Sequence, residues 1–151
     1  GQFELASSLL AEAARATPEM PLLQEMCGLA SLRLAKLPKE IGAEEREAVE
    51  LAGRAAMLAF QRRVGEAKPL ADALLAKEPR RANVNYLRGY LALLEQSPES
   101  IGYFERELAL TPGHVQARLQ IAYEYLKRGE TAKGLPYAAE AARIAPGDFT
   151  A

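Results

Sequence analysis

Strand-forming residues are scarce in this sequence. Ile, Val and Thr are thinly spread, while Ala and Leu dominate its 151 positions. β-Branched side chains suit a pleated sheet, whereas Ala and Leu suit a helix, so composition alone predicts an all-α chain. Neither sign of charge is in excess: the net charge is −1 and the pI about 6.0. That excludes the basic footprint of a nucleic-acid binder. The nearest thing to a basic cluster, Lys77, Arg80 and Arg81, is interrupted by Glu78 and Pro79. No apolar run reaches the roughly 18 residues of a membrane span. The single cysteine, Cys27, excludes an internal disulfide and a cysteine-based metal site. Within Met26-Cys27-Gly28-Leu29 it reads as a buried thiol. The single histidine, His114, falls in a turn, where it is expected at the surface. There is no phosphate-cradling glycine loop and no Ser/His/Asp arrangement. Glu44, Glu45, Glu47 and Glu50 form an acidic run, but with Arg46 interleaved and no nearby His or Cys it reads as a solvated helix face. No metal, no cofactor and no catalytic residue is expected.

What the chain does have is a beat. Hydrophobic residues make up 49% and charged residues 26%, enough for a globular core. Pro79, Pro112 and Pro146 each close an amphipathic run, 33 and 34 residues apart. Pro18 closes an earlier one. Proline cannot continue a helix, so each marks a stop and a turn. The last unit reads as a helix from Val115 to about Arg128, a turn at Gly129-Glu130, and a second helix from Thr131 to Ala145. In the unit before it, Val84, Leu87 and Leu91 fill the first helix, and Ser100 and Phe104 the second. Arg88 takes a small-residue position there, beside Gly89. Ser97-Pro98-Glu99-Ser100 reads as a helix start. Between Pro18 and Pro79 the beat falters: helices are expected at about 20–36, 43–63 and 66–77, with 37–42 as a linker. Three helices do not fit a two-helix alternation.

This pattern resembles the tetratricopeptide repeat, W-x2-L-G-x2-Y, then A-x3-F, then P. Arg118 stands for the Trp, Ile121-Ala122 for Leu-Gly and Tyr125 for the Tyr. Gly134 stands for the Ala, Ala138 for the Phe and Pro146 for the Pro, with Ala141 at a further small position. Ala6, Leu10, Ala13 and Pro18 keep the same spacing, so the chain opens on the second half of a repeat and is expected to be a piece of a longer protein. The resemblance implies an all-α solenoid of antiparallel helix pairs, a right-handed superhelix of about eight helices. The expected division is a truncated repeat over 1–18, an irregular region over 19–79, repeats over 80–112 and 113–147, and a tail over 148–151.

In such solenoids the first helices line a concave groove, so the resemblance implies a protein-interaction module and no enzyme. Exposed first-helix positions become the expected groove: Asn85, Tyr86, Gly89, Gln116, Gln120, Tyr123 and Lys127, with Gln24 and Glu25 as counterparts in the 20–36 helix. Amides can hydrogen-bond a peptide backbone, and tyrosines offer broad, fairly rigid contact area. Phe104, Tyr125 and Tyr137 read as packing residues. The Lys, Asn and Arg set by which some relatives clamp chaperone tails is missing; the comparable places hold Leu119, Gln120, Tyr123, Asn85, Tyr86 and Gly89. The expected partner is a protein or peptide, with no nucleic acid and no membrane insertion, and self-association through an uncapped solenoid end. The Ala-, Leu- and Arg-rich composition resembles that of high-GC bacteria, which sets the expectation in a bacterial cytoplasm or periplasm, in secretion or envelope machinery. The alternative reading is a non-catalytic helical accessory domain of a larger enzyme.

Overall fold

The structure is a computed structural model that describes residues 2–17 and 20–146. Pro18 and the 148–151 tail lie outside the described residues. Within them the chain forms α1 (Gln2–Ala16), α2 (Pro21–Ser31), α3 (Ala43–Phe60), α4 (Val64–Lys77), α5 (Val84–Leu94), α6 (Ser100–Leu110), α7 (Val115–Lys127) and α8 (Thr131–Ile144). A single 3-10 turn, Pro38–Glu40, joins α2 to α3. No strand occurs among the described residues. Each helix packs on the next, and the architecture is an α-solenoid.

Two kinds of helix end recur. α2, α3, α5 and α7 each close in a Schellman motif, with the residue after the C-cap in the left-handed region: Arg33 (φ 52°), Arg62 (φ 63°), Gln96 (φ 57°) and Gly129 (φ 73°). The paired bonds are Arg33 N–H to Ala30 O with Leu34 N–H to Leu29 O, and their equivalents after α3, α5 and α7. α4, α6 and α8 instead end extended at Glu78, Thr111 and Ala145, each N–H bonding back four residues, with a proline next. Gly129 adopts its angle freely. The arginines do so at a steric cost of roughly 1 kcal/mol each.

The irregular region resolves into one helix doing two jobs. α3, at 18 residues the longest, packs against both α2 and α4. With α4 it forms a regular unit: Ala55, Ala67, Ala71 and Pro79 keep the spacing of Ala122, Gly134, Ala138 and Pro146. With α2 it crosses at reciprocal glycines. A Cβ on Gly28 would lie 2.1 Å from the Val49 carbonyl oxygen, and one on Gly53 would lie 2.1 Å from that of Gln24. Only backbones without side chains approach so closely. The expected 20–36 helix stops at Ser31, because the Schellman turn at Arg33 reverses the chain. The expected 37–42 linker is partly core, since Ile41 is buried. α6 begins at Ser100 rather than at Pro98. Ser97 Oγ accepts the Glu99 N–H (3.3 Å), so it caps the turn before the helix.

The core lies along the solenoid as three buried clusters. The first joins Leu10, Ala14, Leu23, Cys27, Ala56 and Met57. The second runs from Leu29 through Val49, Ala55, Ala71 and Leu74 to Leu91. The third joins Ile101, Phe104, Ala117 and Ile121. Two of the buried charges lie at positions where the repeat carries small residues. Arg88 pairs with Asp72 and lies 4.8 Å over the Tyr103 ring. Glu107 is fully buried and reaches across to the start of α5.

Candidate interaction groove

Glu107 sets the position of α5. Its Oε1 accepts the Asn83 N–H (2.8 Å) and the Thr111 hydroxyl (3.0 Å), and its Oε2 accepts the Tyr86 N–H (3.2 Å). The carboxylate of one helix thereby fills the orphan donors at the N-terminus of another, where negative charge is favoured. Asn83, itself left-handed at φ 71°, donates from Nδ2 to Leu32 O (3.0 Å) and ties this end to the turn after α2. Tyr86 is thus held from both sides.

Around Tyr86 lies a cavity of about 230 Å³, bounded by α1, α2, α3 and α5. Phe60, Tyr86 and Tyr90 give it aromatic walls; Ala30, Ala56 and Ala59 line it with small side chains; Ser7 faces it from α1. Glu4 and Arg33 form an ion pair at its edge. The Tyr86 ring stacks on His114 (4.6 Å between centroids, 30°) and tilts against Phe104 (5.5 Å, 46°). Burial pushes the Tyr86 phenol up to about 12, against the opposing charge of Arg33 and a hydrogen bond from Gln120. Burial also pushes His114 down to about 4, and the charge of Arg33 acts the same way. His114 is no surface residue: it is 4% exposed and caps α7, its Nδ1 accepting the Ala117 N–H (3.2 Å). A neutral imidazole in an N-cap position meets the helix's need for an acceptor, which explains why it is buried here. Cys27 is a buried free thiol, pushed up to about 12 by desolvation.

The expected groove residues separate into two sets. Tyr86 lines the cavity and Gln120 bonds to it. Gln116 is half-buried, and Tyr123 and Lys127 are exposed on α7, with the Lys127 ammonium 5.6 Å from the Tyr123 ring centre. Asn85 and Gly89, by contrast, are buried against α6. Arg106 Nε donates to Asn85 Oδ1 (3.4 Å), and a Cβ on Gly89 would strike the Phe104 ring at 2.8 Å. Gln24 and Glu25 do not line the aromatic cavity: the Gln24 carbonyl lies at the Gly53 crossing, and Glu25 pairs with Arg46 (3.5 Å). Phe104, Tyr125 and Tyr137 pack as expected. Phe104 is fully buried, the two tyrosines stack at 6.3 Å, and the Tyr137 hydroxyl donates to Glu105 (3.1 Å). Sequence reasoning missed Phe60, Tyr90 and Arg33. Tyr90, one turn beyond Tyr86, carried a signal in its i, i+4 spacing; Phe60 and Arg33 carried none until α3 was seen to pair twice.

Among solved structures, the chain matches the MamA D159K mutant with a TM-score of 0.58 and 19% identity over 95% of this chain and 88% of that one. The fold is a tetratricopeptide-like α-solenoid. No family model matches the chain, and no curated protein matches it. The likeness is one of backbone architecture; the aromatic cavity and its flanking charges are argued from this chain's own residues. No helix among the described residues is long and apolar enough to cross a membrane, and no group of three metal-ligating side chains occurs among them.

Proposed function

We propose that the chain is an interaction module that holds a protein or peptide segment in its concave groove. The observation that carries this reading is the aromatic cavity of Phe60, Tyr86 and Tyr90, set beside the exposed α7 face bearing Gln116, Tyr123 and Lys127. Aromatic walls supply contact area at little entropic cost, and the amides and hydroxyls beside them can satisfy a bound backbone. Its titratable groups are already engaged: Glu4 pairs with Arg33, and His114, the one imidazole, caps α7. The composition resembles that of high-GC bacteria, and bacterial proteins of the resembled repeat family often serve in secretion or envelope machinery; we propose such a role, in the cytoplasm or periplasm.

The test is a pull-down with the chain as bait, read by mass spectrometry. It is run beside Tyr123→Ala, which removes an exposed side chain, and Tyr86→Ala/Tyr123→Ala, with helicity and melting checked for both. Enrichment of one partner that both variants weaken supports the groove. A partner retained in full by the folded double variant refutes it.

A further inference from the structure

We infer a second binding site, adjoining the aromatic cavity and centred on other residues, for an acidic segment of a partner protein. It lies on the edge of the solenoid where the C-terminal ends of α1 and α3 meet the N-terminal ends of α2 and α4. There a cavity of about 410 Å³ is lined by Arg15, Arg54 and Arg63 with Gln24, Gln61 and Glu66. A neighbouring cavity of about 240 Å³ shares Arg15 and adds Arg62. Four arginines from α1, α3 and the α3–α4 turn therefore line two cavities that share Arg15.

Their pairing makes the spot unusual. Most basic side chains here face a carboxylate: Arg46 with Glu25, Lys68 with Glu95, Lys77 with Glu47, Arg88 with Asp72, Lys127 with Glu124. At this edge Arg63 is held by Glu66 through two 2.7 Å hydrogen bonds. Arg15, Arg54 and Arg62 have no carboxylate within 4.0 Å among the described residues. Among the described residues, three arginines without an ion-pair partner line this edge, on a chain whose net charge is −1. Arg62 is moreover kept in a left-handed turn position, φ 63°, where Gly129 serves the equivalent turn. The ligand that matches such an array is a run of carboxylates, since a guanidinium fork pairs with a carboxylate in two parallel hydrogen bonds. Gln24 and Gln61 can serve the backbone of that segment. Gln61 already donates to Ala14 O (3.5 Å), which fixes it against α1. The larger cavity, which holds three of the four arginines, is lined by Met57 and Leu58 with no aromatic side chain on which bases could stack; Phe60 and Tyr90 line only the smaller one.

The probe is a fluorescent oligo-glutamate of about eight residues, some 25 Å when extended, titrated with the chain and followed by anisotropy. Competitors are inorganic phosphate and an oligothymidylate of equal charge. The variant is Arg15→Gln/Arg54→Gln, which changes two exposed side chains, with circular dichroism to check the fold; Tyr123→Ala serves as the groove control. The expected result is binding that weakens about tenfold in the arginine variant and falls steeply with added salt, as contacts between exposed charges do, while Tyr123→Ala binds as the parent does. Absent binding, or equal binding by the arginine variant, overturns the proposal. So does phosphate competing as well as the peptide, which would leave a bare anion pocket, or tighter binding of the oligothymidylate. Because Tyr123→Ala reports on the groove alone, either site can fail without the other.

Discussion

Replacing Gly28 by alanine should destabilise this protein, although alanine is the better helix former. In the interior of a helix the exchange gains about 1 kcal/mol. Against that stands the crossing of α2 and α3. The new methyl would sit 2.1 Å from the Val49 carbonyl oxygen and 2.8 Å from Val49 Cγ1. The oxygen belongs to a backbone already bonded within α3, so no side chain can swing aside. The two helices must part by about an ångström, and a gap of that size forfeits a quarter to a half of each dispersion contact along the interface. Overpacking of this kind costs about 1–3 kcal/mol, and a rigid obstacle places it at the upper end. Net destabilisation of about 2 kcal/mol is expected, lowering the melting temperature by roughly 4–8 °C in a chain of this size. Gly65→Ala is the control: nothing lies within 4 Å of its Cβ, so the same exchange should raise stability by about 0.5 kcal/mol. Gly28→Ala/Gly53→Ala should cost less than the two single changes added, because helices parted by one methyl have room for the other. Thermal and urea unfolding by circular dichroism measure all four. A Gly28→Ala protein as stable as the parent would refute the close crossing, and additivity in the double variant would refute the shared interface.

Two further outcomes follow from buried polar groups. His114 titrates near 4 when folded and near 6.5 when unfolded, so between these values the unfolded chain binds the extra proton; stability should fall as pH drops through this window, by at most about 3 kcal/mol. His114→Ala should be less stable at pH 7 but lose less on going to pH 5, as urea unfolding at the two pH values would show; equal losses would mean the imidazole is not buried neutral. Glu107→Ala leaves the Asn83 and Tyr86 amides without an acceptor and should cost about 3 kcal/mol. Amide exchange should then quicken at the start of α5 before it does in α7 or α8, and uniform quickening would count against the cap.

The parts of the fold that are local were legible in the sequence. Proline at 79, 112 and 146 cannot extend a helix, and small residues at 122, 134 and 141 invite a crossing, so the last helix pair was readable from spacing. The groove was less so. Asn85 and Tyr86 are neighbours with the same claim to exposure, yet Arg106 and Phe104, far along the chain, decide that Asn85 is buried and Tyr86 faces the cavity. Arg88 looked like a misfit at a small position, and Glu107 occupies another. Each is accommodated by a partner that spacing does not reveal, Asp72 for one and the start of α5 for the other. The double role of α3 was written in Ala55, Ala67, Ala71 and Pro79, but the α2 crossing at Gly28 and Gly53 competes with that register and hides it.

The double role of α3 also fixes which way the rest of the array points. A tetratricopeptide ladder advances two helices at a time, so turns of one kind always emerge on one side. Here α1 and α4 both carry the spacing of closing helices yet stand three helices apart, an odd step. α1 carries the spacing of a closing helix, yet its C-terminal end meets that of α3, an opening helix, through Gln61 and Ala14. The odd helix is a half-period phase shift: beyond it the two sides of the ladder have exchanged roles. The arginines of α1 and those of the α3–α4 turn share an edge for that reason, and in an unshifted ladder they would lie on opposite sides of the molecule.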